Sequence, residues 1–213
     1  MDPIIGCYAS YRDGDITFCK DIAYQTDMSV TVDYGAAYFE KYVTMEGTPI
    51  AVNLNLARTS LTSKYCDCVL DVGIGSGEFI KSSLIKTYGY DINPHGEKWL
   101  KDRNIWMNPW EGISSVVEGV SLWDTLEHMK EPTTFLNLIP KGCYVFISMP
   151  MFDNLERDLR SNKHYRPNEH YYYFTKYGFI NYLRDINFDL IELNQDETLA
   201  GREGIWSFVF KRI

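Results

Sequence analysis

VLDVGIGSGEFI, residues Val69–Ile80, is the stretch that decides the fold of this chain. A short apolar run precedes Asp71, and glycines follow at every second position, at Gly73, Gly75 and Gly77. An apolar run bounded by glycines predicts a buried parallel strand that enters a tight turn. Glycine suits such a turn because it reaches positive φ at little cost and lets a ligand approach the backbone closely.

Two common phosphate-binding motifs do not fit this turn. A dinucleotide fingerprint needs G-x-G-x-x-G, but the third glycine would fall on Glu78, and Gly77 comes one residue early. A P-loop is also excluded, because no Lys-Ser or Lys-Thr pair follows. A second strand-like run, TYGYDIN, ends in Asp91, where a carboxylate can accept both hydroxyls of a ribose.

Together, LDVGIGSGEF and YGYDINP resemble motif I and the following acidic motif of class I S-adenosylmethionine-dependent methyltransferases. The resemblance covers about residues 34–213. It implies that the three glycines pass under the methionine part of S-adenosyl-L-methionine and that Asp91 holds its ribose. The cofactor-binding residues that it implies are Asp71, Gly73, Gly75, Gly77, Asp91, Ile92 and Asp124.

The same resemblance implies an α/β, Rossmann-like fold. We expect a mostly parallel seven-stranded sheet in the order 3-2-1-4-5-7-6, with an antiparallel last strand and helices on both faces. The short segment NIWMN, residues 104–108, would be the third strand. By the same resemblance the residues just after this strand lie near the adenine, where Trp106 or Asn108 could serve.

The composition bounds the class of protein. At 213 residues the chain suits one domain with a short extension, and its 45% hydrophobic content is ordinary for a soluble protein. No apolar run approaches the roughly 20 residues of a membrane span, and we recognise no secretory signal. Five cysteines without a disulfide-framework spacing indicate a reducing cytoplasm. The net charge of −8 argues against strong binding to duplex nucleic acid, but not against a nucleotide substrate.

Residues 1–33 are interpreted as an N-terminal extension to a methyltransferase domain that spans residues 34–213 and begins with cap helices. Cys7 and Cys19 lack the partner pair of a zinc site, so we expect a leader that packs on the domain rather than a degenerate zinc knuckle. Four side chains that recur at helical spacing come next: Tyr34, Tyr38, Tyr42 and Met45. This stripe is either core packing or part of a lid over the pocket, and periodicity alone leaves both open.

The segment GVSLWDTLEHMKEP is the second informative stretch. Its strand would end at Asp124, at the sheet edge where ligands bind in open α/β folds. Asp124, Glu127 and His128 form a D-x-x-E-H pattern whose members share one face of a helical turn. The pattern resembles the E-x-x-E-H site of ubiquinone-pathway O-methyltransferases and small-RNA 2′-O-methyltransferases, which bind a divalent cation. Asp at the first position is a departure from that pattern that shortens the reach. We favour the alternative, in which LEH helps to shape the cofactor pocket without a metal, because many relatives with LEH have no metal role and three ligands are few.

A later segment, HYRPNEHYYYFT, resembles the H-x-x-x-F-T approach to the helix before strand six, a loop that borders the acceptor pocket in related methyltransferases. Its substrate-side candidates are His164, Arg166, Glu169, His170 and Tyr171. His170 could be a general base, because the unperturbed pKa of histidine lies near operating pH, or it could complete a metal site with Glu127 and His128. Alternatively, these polar side chains only hold the loop by hydrogen bonds.

The predicted reaction is transfer of a methyl group from S-adenosylmethionine to an O, N or C nucleophile, with Asp124, His128 and His170 as catalytic residues that help remove a proton. The chain resembles small methyltransferases of bacteriophages and bacteria, whose acceptors are mostly unassigned. We expect a nucleotide or nucleic-acid base as acceptor first, and a small metabolite or sugar second. The alternative is a module that binds S-adenosylmethionine or S-adenosylhomocysteine without methyl transfer. A dehydrogenase is disfavoured by the misplaced third glycine.

Overall fold

The computed structural model describes residues 10–26 and 35–213. The strands there are β1 (Tyr11–Asp13), β2 (Ile16–Cys19), β3 (Ile22–Gln25), β4 (Cys68–Val72), β5 (Lys86–Tyr90), β6 (Gly119–Trp123), β7 (Tyr144–Phe152), β8 (Tyr172–Thr175), β9 (Phe188–Asn194) and β10 (Ile205–Arg212). The α-helices there are α1 (Ala36–Val43), α2 (Pro49–Ser63), α3 (Glu78–Ser82), α4 (Pro94–Lys101), α5 (Pro132–Leu136), α6 (Leu155–Asp158), α7 (Lys176–Asp185) and α8 (Asp196–Leu199).

The central sheet is parallel over β5, β4, β6 and β7, in that spatial order. The last two strands are antiparallel, with β10 between β7 and β9. Next to β5, Trp106 forms a single parallel bridge with Gly89 at the place of the predicted third strand. The order is therefore the predicted 3-2-1-4-5-7-6, and the Rossmann-like fold is confirmed.

The third strand is reduced to one bridge by its flanking residues. Asn104 adopts a left-handed backbone with φ of 57°, and Pro109, which cannot donate a ladder hydrogen bond, begins a 3-10 turn. Between them, the N–H of Met107 donates to the carbonyl of Gly89 at 3.0 Å. Too few residues remain on either side of this pairing to extend the ladder.

A second set of strands extends the sheet beyond the predicted seven. The last two residues of β7, Met151 and Phe152, pair in parallel with β8, while the rest of β7 pairs with β10. β8 in turn pairs with β3, and β3, β2 and β1 form an antiparallel meander. Much of residues 10–26 is therefore part of the sheet. The expected boundary at residue 33 and Cys7 lie outside the described residues, whereas Cys19 is buried in β2.

Continuous apolar sequence explains the buried centre of the sheet. Val69, Leu70, Val120 and Leu122 are fully buried because helices cover both faces of a parallel sheet. The helices begin where the sequence supplies caps. Thr48 and Asn93 precede prolines and accept backbone N–H groups from the first turns of α2 and α4, at 3.4 Å and 2.9 Å. None of the helices in the described ranges is long and apolar enough to cross a membrane.

Gly178, in the first turn of α7, is the point where this helix meets the turn between β2 and β3. A Cβ atom there would lie 2.2 Å from the carbonyl oxygen of Asp21. The same carbonyl accepts the N–H of Thr175 at 2.9 Å, so it cannot move away freely.

We predict that Gly178→Ala lowers the free energy of unfolding by about 1–3 kcal/mol, because overpacking against backbone outweighs the helix preference of alanine. Urea unfolding measures the change. The exposed Asn181→Ala in the same helix is the control and should stay within about 0.5 kcal/mol of the parent protein. Equal or greater stability of Gly178→Ala would contradict the close contact.

Candidate functional site

The turn after β4 has the positive φ values that its glycines predict. Gly73, Gly75 and Gly77 have φ values of +82°, +56° and +77°, in the left-handed region that glycine adopts most easily. A Cβ atom on Gly73 would lie 2.5 Å from Oγ1 of Thr125, and one on Gly77 would lie 2.8 Å from the ring of Trp99. The first and third glycines are therefore required both by backbone conformation and by close packing.

Two carboxyl groups flank this turn, a partly buried one on Asp91 and a buried one on Asp71. Asp91, directly after β5, accepts the backbone N–H of Asn93 at 2.8 Å, and burial raises the pKa of its carboxyl group. Asp71, within β4, accepts the hydroxyl of Ser121 at 2.7 Å. Because Asp71 is only 1% exposed, burial raises its pKa to about 7.

A cavity of about 840 Å³ lies along the carboxyl ends of the parallel strands. At one end it is lined by the glycine turn, by Asp71 and Asp91 and by the exposed side chains of Ile92 and Trp110. Gly77 lies outside this lining and packs against Trp99.

Neither Trp106 nor Asn108, the residues suggested to lie beside an adenine, lines the cavity. Trp110 lines the cavity, whereas the ring of Trp106 lies beneath Lys101, with the ammonium 4.5 Å from the ring centroid. Asn108 caps the 3-10 turn by accepting the N–H of Trp110 at 3.1 Å. This cap places Trp110 in the cavity wall. The predicted position of the third strand alone gives no indication of that placement.

Helix α1 covers the glycine end of the cavity. Phe39, Tyr42 and Met45 line it from this side, and the Tyr42 ring lies 3.5 Å from the place where a Cβ on Gly75 would be. Of the predicted tyrosine stripe, Tyr42 and Met45 thus belong to a lid over the pocket. Tyr34 and the side chain of Tyr38 lie outside what the structure describes.

Asp124 is the centre of a partly buried ion cluster, of which Glu197 is the most deeply buried member. Its carboxylate accepts two hydrogen bonds from Arg202, at 2.7 Å and 2.8 Å, and one from Arg58 at 3.2 Å. Glu197 joins both arginines at 2.7 Å and 2.5 Å. The arginines hold the pKa of Asp124 below its ordinary value although burial opposes them.

No motif in the sequence points to Arg58, Glu197 or Arg202. The last two lie in NQDETLAGREG, a segment that reads only as a polar loop between the final strands. Acids and one arginine in a polar loop, and one arginine in a preceding helix, are too common on protein surfaces to indicate an ion cluster.

The other end of the cavity brings together Glu127, His128 and His170. One ligand atom from each lies within 4.8 Å of the others. Glu127 is 1% exposed, and its Oε2 has no hydrogen-bond partner in the described part of the chain. Asp124 does not join this group, because it follows β6 with a left-handed φ of 51° and turns to the arginines.

Burial disfavours the charged form of each of these three side chains. It raises the pKa of Glu127 well above its ordinary value, and Asp124 adds to the shift. It lowers the pKa of His128, and it lowers that of His170 to about 3. An imidazole with so low a pKa is a weak base. The reason for expecting His170 to act as a general base, a pKa near operating pH, is therefore absent. A neutral imidazole is, however, the form that binds a metal ion.

Four of the substrate-side candidates line the same cavity: His164, Arg166, Glu169 and His170. Arg166 pairs with Glu169 at 3.1 Å, while a ring nitrogen of His164 lies 2.8 Å from the carbonyl oxygen of Glu203. Tyr171 instead donates its backbone N–H to the carbonyl of Glu127 at 2.7 Å. The loop therefore contributes both polar walls and a backbone support for the Glu127 turn.

We predict that Asp71→Asn changes the pH dependence of stability. Because folding raises the pKa of Asp71 from 3.8 to about 7, the free energy of unfolding of the parent protein should fall as pH rises between these values. The slope from this group is at most about 1.4 kcal/mol per pH unit. Urea unfolding should therefore show Asp71→Asn gaining stability relative to the parent protein from pH 5 to pH 8.

The exposed Asp102→Asn provides the control for that measurement, since removing a surface carboxylate should shift stability little at either pH. A difference between Asp71→Asn and the parent protein that is the same at both pH values would contradict the raised pKa.

Comparison with known proteins agrees with the fold. A family model described as a methyltransferase domain matches residues 49–193. Among solved structures, an S-adenosylmethionine-dependent methyltransferase from Archaeoglobus fulgidus has a TM-score of 0.55 at 17% identity, covering 83% of this chain and 100% of its own. No protein with a curated description matches the sequence.

Two further solved structures contain S-adenosylhomocysteine. Magnesium protoporphyrin IX methyltransferase from Synechocystis PCC 6803 has a TM-score of 0.57 at 13% identity, covering 84% of this chain and 95% of its own. The 1,6-didemethyltoxoflavin-N1-methyltransferase of Burkholderia thailandensis has a TM-score of 0.54 at 14% identity, covering 95% and 97%. Such identities show the fold alone. With the family model matching more than half of its length, this chain belongs to the methyltransferase domain family and has the class I S-adenosylmethionine-dependent methyltransferase fold.

Proposed function

We propose that this protein transfers a methyl group from S-adenosylmethionine to an oxygen, nitrogen or carbon nucleophile of an acceptor. One observation carries the proposal. A single cavity of about 840 Å³ joins the glycine turn and Asp91 at one end to Glu127, His128 and His170 at the other. A donor and an acceptor could therefore lie in the same enclosure, which in-line transfer requires.

The cofactor end offers groups that suit each part of S-adenosylmethionine. The carboxylate of Asp91 can accept the ribose hydroxyls, and the exposed side chains of Ile92 and Trp110 offer apolar surface for the adenine. Backbone at Gly73 and Gly75 has no side chain to hold a ligand away. When bound, S-adenosylmethionine supplies a methyl group already activated by a sulfonium.

Catalysis in this proposal rests mainly on position. The acceptor's lone pair would form a bond to the methyl carbon as the carbon–sulfur bond breaks, S-adenosylhomocysteine would leave, and the acceptor's proton would pass to water. Asp124 is one of the expected catalytic residues, but its carboxylate already accepts hydrogen bonds from Arg58 and Arg202. We therefore assign it a positioning role. His128 and His170 remain the residues that would contact the acceptor.

We also propose a metal-assisted form of the reaction. Its support is the close approach of one ligand atom from each of Glu127, His128 and His170, together with the unpartnered Oε2 of the buried Glu127. One carboxylate and two imidazoles suit a borderline divalent ion such as Mn²⁺ or Zn²⁺ better than a hard ion that prefers oxygen ligands alone. Such an ion would lower the pKa of an acceptor hydroxyl, which favours O-methylation.

For the acceptor itself we propose a nucleotide or nucleic-acid base first, and a small metabolite or sugar second. Arg166 and Lys130 line the cavity and offer positive charge to the phosphate of a nucleotide. The overall charge of −8 favours a free nucleotide or a single-stranded segment over duplex nucleic acid.

Calorimetric titration with S-adenosylhomocysteine tests the cofactor proposal. We predict micromolar binding by the parent protein and at least a tenfold weakening by Asp91→Ala, because charge-assisted hydrogen bonds to the ribose are lost. Asp102→Ala, at an exposed position on the same segment of chain, is the matched control and should bind as the parent protein does. Unchanged affinity of Asp91→Ala would contradict the assignment.

Turnover distinguishes the proposed enzyme from the alternative, a module that binds the cofactor without methyl transfer. Formation of S-adenosylhomocysteine that depends on an added acceptor, screened from nucleotides to sugars, would exclude it. Tight binding with no turnover across the whole screen would favour it.

The metal proposal predicts that Mn²⁺ binds the protein without any acceptor. Solvent proton relaxation or calorimetry should show binding that is weakened at least tenfold by His170→Ala, since one of three protein ligands is removed. His164→Ala, in the same loop and lining the same cavity, should leave Mn²⁺ binding unchanged. If both variants bind Mn²⁺ like the parent protein, or the parent protein binds none, the three residues do not form a metal site.

A further inference from the structure

The meander of β1 to β3 lies behind the cavity wall and does not reach the cavity itself. None of residues 10–26 lines the cavity. Strand β3 pairs instead with β8, which follows a loop that supplies His164, Arg166, Glu169 and His170 to the cavity. We call this loop, residues 162–171, the acceptor loop, because it borders the end of the cavity at which we propose that the acceptor binds.

One face of the meander belongs to a small hydrophobic cluster that is separate from the core of the central sheet. The buried members of this cluster come from β2, β3, the end of β7, α6 with the turn after it, and β8: Ile16, Phe18, Ala23, Phe152, Leu155, Leu159 and Tyr173. Burial of this apolar surface holds the meander against residues on both sides of the acceptor loop.

A buried hydrogen bond joins β3 to β8 at this cluster. Nε2 of Gln25 donates to the hydroxyl of Tyr173 at 3.2 Å, and the two residues are 7% and 2% exposed. In the acceptor loop, the centroid of the Tyr165 ring lies 5.7 Å from that of Tyr173, and the Tyr165 hydroxyl donates to Asp15 at 3.3 Å. Removing one partner of a buried hydrogen bond leaves the other without compensation. Gln25 and Tyr173 therefore depend on each other for their positions.

Tyr171, the last residue of the acceptor loop, links the meander to the turn that carries Glu127 and His128. Its carbonyl accepts the N–H of Gln25 at 2.9 Å, and its own N–H donates to the carbonyl of Glu127 at 2.7 Å. Nδ1 of His128 donates to the carbonyl of Glu169, also in the loop, at 3.0 Å. The backbone of the loop is thus held between β3 on one side and the Glu127 turn on the other.

The ring of His170 lies between those of His128 and Tyr173. Its centroid is 4.7 Å from the centroid of His128, with the two rings at 89°, and 5.8 Å from that of Tyr173. His170 is 5% exposed, so it has little room to move independently of these neighbours. A displacement of Tyr173 would therefore change how His170 meets His128.

The cofactor end of the cavity is built from other elements. The glycine turn follows β4, and Asp91 follows β5. Strands β8, β7 and β6 lie between β3 and β4 in the sheet. A change in the contact between the meander and β8 should therefore alter one end of the cavity and leave the other as it is.

Resting on the proposed function, we propose that Gln25 and Tyr173 are positioning residues for the methyl acceptor. Neither side chain lines the cavity. Tyr173 fixes the ring of His170, and the backbone of Gln25 holds Tyr171 against the Glu127 turn. The meander is thus a support for the acceptor end of the cavity, and not only a leader that packs on the domain.

The four histidines of the chain give a readout that needs no acceptor. NMR of Gln25→Leu should show shifted imidazole signals for His128 and His170, because loosening Tyr173 changes the edge-to-face contact of the two rings. The signals of His95, in α4, should coincide with those of the parent protein.

Lys20→Gln, at an exposed position in the same meander, is the matched control and should leave the signals of all four histidines unchanged. Calorimetry should show that Gln25→Leu and Lys20→Gln both bind S-adenosylhomocysteine within about twofold of the parent protein, since the cofactor end is distant. With an acceptor that supports turnover, Gln25→Leu should raise the KM for the acceptor about tenfold and leave the KM for S-adenosylmethionine unchanged.

Tyr173→Phe removes only the hydroxyl and provides a test even if Gln25→Leu does not fold. It should shift the signals of the same two histidines. Unchanged signals of His128 and His170 in the folded variants would overturn the proposal. Weaker binding of S-adenosylhomocysteine by these variants would also overturn it, because the effect would then extend over the whole domain. A parent protein that binds no S-adenosylhomocysteine would overturn the proposed function, whereas unchanged histidine signals would overturn only this proposal.

Discussion

The close passage of the glycine turn over Thr125 is the constraint on which the rest of the site depends. A Cβ on Gly73 would lie 2.5 Å from the Thr125 hydroxyl, so only glycine lets the tip of β4 come this near the segment after β6. That approach brings the glycine turn and the segment after β6 side by side in the wall of the cavity, which both line. The glycines of the turn have positive φ values and no side chains, so the turn presents only backbone to the cavity. Any larger residue there would need both a strained conformation and additional space.

The second element of the site is electrostatic. Four charged groups, two arginines and two carboxylates, lie where burial of any one alone would be very costly. Because each of them has partners of opposite charge, the cluster links α2, α8, the loop before β10 and the segment after β6. Removing one member would leave its partners buried without full compensation. This interdependence explains how a short polar loop near the chain end fixes the conformation of Asp124, about 80 residues earlier.

The fold could be predicted from the sequence because its signals are local. Residues close together in the sequence are enough to predict the strand and glycine turn at 69–77 and the acid at Asp91. The strand order then follows from the family resemblance that these residues carry. The meander of β1 to β3 could not be predicted, since its pairing partner β8 lies about 150 residues away and its strands are three or four residues long. Arg202 escaped prediction for the same reason, because its role comes from its pairing with Asp124, 78 residues away in sequence.

The backbone at Asp124 decides what the D-x-x-E-H pattern does in this protein. Regular helical geometry would place all three side chains on one face, but the left-handed φ of 51° turns Asp124 to the arginines and leaves Glu127 and His128 facing His170. A local conformation that costs free energy persists only where surrounding contacts enforce it, and two arginines supply them here. One short motif is thereby divided between the ion cluster and the group of Glu127, His128 and His170. The shorter Asp, which as a metal ligand would be a disadvantage, is long enough to reach both arginines.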